Sequence, residues 1–293
     1  MAALVMLAFG AVPALGGTGM TFLTLGVGGR SLGMGEAYST GAADPAAMQY
    51  NPASLSSIGI TMVSLMHRSW IQGTNAEYIA GAFSFGKFSM GLSTYWLSIR
   101  DIEVRTVPGS PISTFTAQDL SVGFSAAYEL TDEISVGLTG KYLYEKILLD
   151  DAGGMAFDFG GVYATPSGIR VGAAIANLGS VSALKDESTP LPKIFRGGIS
   201  YTTTLQNPAT TITGAADLVA PLGDGGSHLH LGGEVILYGA IAARAGYETG
   251  YDARGLTLGT GITHGIVTID YAFAPTQYDL GSTHAVSLSL QLN

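Results

Sequence analysis

Leu120-Ser121-Val122-Gly123-Phe124-Ser125-Ala126-Ala127-Tyr128-Glu129-Leu130 is the stretch that decides the fold. Successive side chains of an extended chain point to opposite faces. Leu120, Val122, Phe124, Ala126, Tyr128 and Leu130 therefore share one face, and Ser121, Gly123, Ser125, Ala127 and Glu129 share the other. One face seeks lipid or a dry core; the other is small and polar. The pattern recurs in Ile134/Val136/Leu138 against Ser135/Gly137/Thr139, and in Val267/Ile269/Tyr271/Phe273 against Thr268/Asp270. It returns at the end of the chain, with Val286, Leu288, Leu290 and Leu292 against Ser287, Ser289 and Gln291. Such a wall belongs to a β-barrel.

Working outward from this stretch, about fourteen segments follow, an even number as bacterial transmembrane barrels require. They lie near 59–70, 75–86, 88–100, 118–130, 133–146, 154–165, 168–177, 194–205, 209–220, 227–238, 240–248, 254–263, 266–274 and 283–292. Every second connection is short, as at Gly86-Lys87, Thr131-Asp132, Pro166-Ser167 and His264-Gly265. The others are expected to be longer, among them 101–117, 147–153, 178–193 and 248–253. That asymmetry matches periplasmic turns and extracellular loops, with both termini periplasmic. The charged strand residues obey the same parity: Glu129, Lys141, Asp158, Arg170, Arg196, Asp217, Glu234, Arg244 and Asp270 fall on the polar, inward face. Of these, Asp158, Arg170, Arg196, Asp217, Glu234, Arg244 and Asp270 are the candidate lumenal charge network.

Composition agrees with a membrane wall. Charged residues make up 12% of the 293 residues, against about a quarter in soluble domains, and glycine is abundant at 42. After the N-terminus no apolar run reaches the roughly 18–20 residues that a spanning helix needs. The net charge of −9 argues against a nucleic-acid partner, which demands a basic face. Without cysteine the chain has no disulfides and no thiolate metal sites, which suits an exported bacterial protein.

The chain divides into 1–17, a secretory signal; 18–58, an irregular plug; and 59–293, the barrel. Met1 to Ala14 has the apolar core and small-residue end of a signal, though without its basic start. The plug is too rich in glycine for a stable helix and too poor in β-branched residues for a strand. Two of its charges, Arg30 and Asp44, are the candidate gating residues together with Asn51 and Pro52, and each of the two is expected to meet a charge on the wall.

Within the plug, Gly28-Gly-Arg-Ser-Leu-Gly-Met-Gly-Glu-Ala, Ala43-Asp44-Pro45 and Asn51-Pro52-Ala53-Ser-Leu resemble the N-terminal signature of the PorV/PorQ family, itself similar to the FadL long-chain fatty acid transporters. The match continues through Ile175-Ala-Asn177-Leu178-Gly179, Leu191-Pro192, Arg196-Gly197-Gly198, Asp217-Leu218, Gly232-Gly-Glu234, Arg244-Ala-Gly246-Tyr247, Asp270-Tyr271-Ala272-Phe273 and Leu280-Gly281. The resemblance implies a fourteen-stranded FadL-like barrel in the outer membrane, with an N-terminal plug and no enzymatic activity or cofactor. PorV/PorQ membership implies an accessory of type IX secretion that binds the C-terminal domains of secreted cargo and works with the translocon. The FadL similarity implies the alternative, passive uptake of a hydrophobic molecule, a fatty acid or an aromatic, past the plug and sideways through the wall. Either protein is a monomeric barrel set in outer-membrane lipid and lipopolysaccharide.

Other motifs carry less. Gly29-Arg30-Ser31-Leu32-Gly33 has the letters of a nucleophile elbow but not the strand and helix that such an elbow needs. His228 and His230 share a strand face with Glu234, which reads as hydrogen bonding at the rim rather than a metal pair. Asp150, Asp151, Asp224, Glu248, Asp252 and Asp279 show no calcium-loop pattern and read as a solvated surface.

Overall fold

The computed structural model of the chain describes residues 18–41, 44–70, 73–105, 110–185, 187, 189–223, 225–278 and 281–292. The signal expected at 1–17, together with Ala43, Asp224, Asp279 and Leu280, lies outside the described residues.

Among the described residues fourteen strands form a closed antiparallel barrel. They are β1 (Thr61–Ser69), β2 (Thr74–Phe85), β3 (Phe88–Val104), β4 (Ser113–Glu129), β5 (Ile134–Ile147), β6 (Asp150–Ala164) and β7 (Ile169–Val181). There follow β8 (Ile194–Gln206), β9 (Ala209–Pro221), β10 (His228–Leu237), β11 (Ile241–Glu248), β12 (Leu256–His264), β13 (Val267–Pro275) and β14 (Ser282–Leu292). Each strand pairs with its sequence neighbours, and β1 closes on β14 from Thr61↔Leu292 to Ser69↔His284. Closure leaves no unpaired edge along the ring to meet lipid.

Period-two alternation sets the register, because a slip of one residue would turn the apolar face inward. Leu92, Phe124, Phe159, Ile199, Leu231 and Val286 all point outward and are exposed. Aromatic residues cluster at two heights on this wall, Phe85, Phe88, Tyr128 and Tyr163 at one and Trp96, Tyr142 and Tyr247 at the other. Eight residues separate Phe88 from Trp96. At about 3.3 Å per residue and a tilt of about 40°, that is roughly 20 Å, near the apolar height of a transmembrane barrel.

Two expected loops are mostly strand. The β3–β4 hairpin continues to Val104 and Ser113, and β5 and β6 are joined by 148–149 alone. Continued pairing satisfies backbone groups that a loop would leave to water. A register shift between Ile99 and Ile102, with Asp101 left-handed at φ 57°, marks a bulge in the taller β3. The loop-length asymmetry is therefore weaker than the sequence suggests at the β5–β6 tip, and survives at 182–193, 222–227, 249–255 and 276–281.

Residues 18–58 lie in the lumen. Gly19 begins near the end with the longer connections, its N–H donating to Pro190 O at 3.1 Å, and the chain leaves at the opposite end through Gly59 into β1. Among its described residues the one α-turn is α1 (Gly29–Gly33); short 3₁₀ turns occupy Thr21–Thr24, Pro45–Gln49 and Pro52–Ile58. The last two start alike. Asp44 and Asn51 accept hydrogen bonds from the N–H groups of Ala46 and Ala53, and proline follows each cap, where its missing N–H costs nothing. Phe22, Val27, Tyr50 and Leu55 pack with Tyr78 and Tyr95 of the wall in one buried cluster.

Candidate functional site

Arg30, on α1, is clamped by the wall. Its Nε and Nη2 donate to Glu234 Oε2 and Oε1 at 2.9 and 2.6 Å. Arg244 donates to the same Glu234 Oε2 at 2.5 Å and to Asp270 Oδ1 at 2.7 Å. The strand register makes this possible. Glu234 stands directly opposite Arg244 on β11, and Gly261 of β12, which has no side chain, leaves the space through which Arg244 reaches β13. Two cations and two anions thus balance one another where any one alone would be costly.

The remaining inward charges do not join this cluster. Asp217 Oδ2 accepts from the backbone N–H groups of Tyr38 and Ser39 at 2.9 and 2.6 Å, pinning the plug backbone to β9. Arg170 donates to Thr40 O and Ser57 Oγ at 3.0 and 2.7 Å. Asp158 pairs with Lys141 at 2.6 Å and accepts from the Asn177 N–H at 2.8 Å. The expectation of one lumenal network gives way to separate anchors, because the plug backbone stands between the strands.

Asp44 departs further from expectation. Its carboxylate turns back to cap its own 3₁₀ turn, with Oδ1 2.9 Å from Ala46 N, instead of pairing with the wall. An Asp before Pro at a helix start satisfies orphan N–H groups locally, and that local bond wins. Burial pushes its pKa up, with the Ala46 N–H and Arg30 opposing. Asn51 does both jobs: its Nδ2 donates to Ser39 O at 2.9 Å and to Gly161 O of β6 at 3.1 Å. Pro52 follows it against Gly137 and Gly160, where any Cβ would collide with the plug.

Above the plug, at the end with the longer connections, a chamber of about 440 Å³ opens between the Thr18–Thr24 stretch and the wall. Leu191, Ile194, Val219 and Leu222 supply apolar surface, while Arg196, Arg254, Lys193 and His228 supply polar groups, and no carboxylate lines it among the described residues. Arg196 is only 6% exposed, lies over the Tyr50 ring at 5.2 Å, and its Nη1 has no hydrogen-bond partner among the described residues. Arg254, on the 249–255 connection, lies 4.3 Å above Tyr251, whose other neighbour is the stacked ring of His228 at 3.9 Å. His230 meets the Tyr251 hydroxyl at 3.0 Å, as a rim role for the histidine pair expects. Among the described residues no group of three or more His, Asp or Glu is placed to hold a metal ion.

Arg254 Nη1 lies 3.5 Å from Glu248 and 4.0 Å from Glu36. Glu248, expected on a solvated surface, is instead buried, since it shares the inward parity of Arg244 and Gly246 on β11. Burial lowers the pKa of Arg254, but Glu36 and Glu248 beside it raise it further, so the net shift is upward. Burial disfavours the Glu36 charge, yet Arg254 holds its pKa below the ordinary carboxylate value. On the other side of the plug, two cavities of about 190 and 170 Å³ flank Arg30. The charged Arg30, Asp44, Arg244 and Asp270 line the first, and threonine and serine dominate the polar lining of the second.

The wall has a seam between β7 and β8. Pairing of β7 with β8 stops at Ala176↔Ile194, while β7 continues along β6 to Val181. Asn177, left-handed at φ 64°, forms the bulge where the strands part. The following connection turns inward at its end, where Leu191 and Pro192 are buried, and Asn177 Nδ2 holds it through Pro192 O at 2.9 Å. Lys141 donates to Asn177 Oδ1 at 3.1 Å. Sequence reasoning missed the roles of Glu36, Arg68, Asn177, Glu248 and Arg254. Inward parity would have flagged Arg68 and Glu248; Arg254, on a connection, has no such signal.

No protein-family model and no curated protein matches this sequence. Solved structures do match its shape. The CymD monoaromatic hydrocarbon channel superposes with a TM-score of 0.62 at 14% identity, over 94% of this chain and 99% of that one. The toluene transporter TodX of P. putida gives 0.62 at 13% identity, over 92% and 99%. A Pseudomonas aeruginosa FadL homologue gives 0.58 at 11% identity, over 90% and 98%. The likeness is one of fold: it reaches the FadL-like barrel and stops short of the PorV/PorQ family.

Proposed function

We propose that the chain is a non-enzymatic outer-membrane barrel, with its longer connections outside, that passively admits small amphiphilic molecules bearing an acidic head. Arg196 carries this reading: it is buried, its Nη1 has no hydrogen-bond partner among the described residues, and it lines a chamber that holds further cations and no carboxylate. A buried guanidinium N–H without an acceptor is costly, and a carboxylate is its natural complement. The seam between β7 and β8 opens beside the same chamber and offers a sideways route, whereas the anchored plug stands across the lumen. That solved channels and transporters of hydrocarbons share the fold supports transport over the secretion role. The PorV/PorQ reading calls for a broad loop surface to receive cargo. The end of the long connection after β7 turns inward at Leu191 and Pro192, and β5–β6 ends in a two-residue turn.

Uptake of radiolabelled octanoate and toluene by cells producing the barrel tests the reading. Octanoate entry should depend on the barrel and fall roughly tenfold in Arg196→Leu, the worth of a hydrogen bond to a charged group. Barrel-dependent toluene entry indifferent to Arg196 would instead make it a neutral hydrocarbon channel. Recovery, with the native barrel, of secreted proteins sharing one C-terminal domain would restore the secretion role.

A further inference from the structure

On the far side of the plug from the outer chamber, the cavity of about 170 Å³ beside Arg30 is lined by a second arginine, Arg170, and by no carboxylate among the described residues. We infer that this cavity is a binding site for a small oxyanion, a carboxylate or a phosphate, held by Arg170. It requires no ligand in the outer chamber. Arg170 is the second residue of β7, and the parity that turns Ile169 and Val171 outward turns it into the lumen, where it is half-buried. Its Nε and Nη2 donate to Thr40 O and Ser57 Oγ, both neutral acceptors, and no Asp or Glu pairs with it among the described residues. Lys141 and Arg244, which face the same lumen, each have a carboxylate. A charge inside a barrel calls for a counter-charge, and Arg170 lacks one.

The strand register surrounds this cation with hydroxyls. Arg170 stands opposite Ser200 of β8, whose Oγ accepts from Thr40 Oγ1 of the plug at 2.8 Å. One inward position nearer the short turns, Thr202 faces Thr213 of β9 with their hydroxyls 3.0 Å apart. Tyr38 also lines the cavity, and its hydroxyl has no hydrogen-bond partner among the described residues. Hydroxyls can turn their protons toward an anion, and no side chain in this lining repels one. Arg30 completes it, with its own charge matched by Glu234. The neighbouring cavity of about 190 Å³ provides the contrast: Asp44 and Asp270 line it together with Arg30 and Arg244, so an anion gains no net attraction there. At about 170 Å³ the Arg170 cavity is smaller than the roughly 300 Å³ of a pocket for a whole drug-sized molecule, and suits a small ion or a head group. Such an oxyanion has two sources, the head of an acid carried inward or a free ion on the side of the short turns.

The chain contains no cysteine, so a single introduced thiol reports alone. Thr213→Cys places it in the Arg170 cavity, and Thr268→Cys places it in the balanced neighbour. Each full-length barrel, in neutral detergent, is labelled with an anionic sulfonatoethyl and a cationic trimethylammonioethyl thiosulfonate, with rates taken relative to a free thiol. The anionic reagent should be favoured several-fold at Thr213→Cys and not at Thr268→Cys. Labelling of Thr213→Cys by an uncharged thiosulfonate should slow with inorganic phosphate, with octanoate, or with both, and not with octanol. Slowing by phosphate identifies the free ion as a source, and slowing by octanoate identifies the acid head; either supports the site. Adding Arg170→Gln should abolish both preference and protection, whereas Arg170→Lys should retain them. Equal preference at the two thiols, protection by neither anion, or effects that persist in Arg170→Gln overturn the inference. Should Arg170→Gln not fold, the two thiols in the otherwise native barrel decide. Failure here leaves the reading of Arg196 standing, since its uptake assay does not involve Arg170.

Discussion

A side chain as small as a methyl group decides whether the plug can seat. On the inward face of β11, a Cβ at Gly246 would fall on Gly35 N and Met34 C of the plug. Backbone cannot step aside as a long side chain can, so Gly246→Ala should destabilise the folded barrel by about 1–3 kcal/mol. Gly214, on β9, has open space at the same atom. Gly214→Ala should therefore stay within about 0.5 kcal/mol, and urea unfolding of both variants in detergent makes the comparison. Equal losses would mean that strand propensity, not plug contact, sets the cost. A larger penalty is expected at Glu234, which faces both Arg30 and Arg244. Glu234→Ala leaves two buried cations short of an anion and should cost about 3–5 kcal/mol in the same unfolding series. The glycine content was visible in the sequence, but its meaning was not. Strand parity puts Gly137, Gly160, Gly232 and Gly246 inward, yet only the path of the plug shows what each must clear. Asp44 was misread for a related reason: a charge in a lumen suggests a partner across space, and the Ala46 N–H, two residues later, supplies one close by in the chain.

Among the elements, β7 is the one whose irregularity bears on the proposed transport. Its first eight residues pair with β8, after which Asn177 bulges and the next connection turns inward. Ile175-Ala-Asn177-Leu178-Gly179 stood out in the sequence as a motif without a mechanism. The structure supplies one: Asn177 is held by Asp158 and Lys141 and in turn holds Pro192 O, so that the seam is fastened at a single side chain. Asn177→Ala removes that bond while leaving the strand pairing below it intact. Lys185 and Lys193 flank the connection, so limited trypsin digestion reads its release. Cleavage there should rise several-fold in the variant, with no change at other sites. Unchanged cleavage would show that burial of Leu191 and the backbone bonds at Pro190 O and Lys193 O hold the connection without Asn177. Alternation alone could place the strands to within a few residues, because burial on one face enforces the period. It could not reveal how far β3 and β4 rise beyond the wall, since above the lipid both faces may be polar and the pattern fades.

For the molecule as a whole, the claim that matters is which side of the wall meets lipid. Phe124 faces outward on β4, opposite Leu92 of β3, which lies midway between Phe88 and Trp96 and hence near the middle of the apolar belt. An arginine there must leave its charge in hydrocarbon or distort the bilayer to reach water. At mid-depth that costs about 2–4 kcal/mol. Close to the rim, at Glu103 on the same hairpin, an arginine is already in water, and Glu103→Arg should cost little. Refolding each variant into phosphatidylcholine vesicles from urea, and titrating the midpoint, separates the cases. A membrane wall predicts a clear loss for Phe124→Arg and almost none for Glu103→Arg. Were the barrel a soluble shell whose outward residues pack against a partner protein, folding would not require vesicles at all. The arginine would then depress solubility or assembly rather than the vesicle-dependent midpoint. The sum of the outward faces makes the first result the expected one, because exposed Leu, Ile, Val, Phe and Tyr recur on the outward face of strand after strand around the ring, which solvent would not favour.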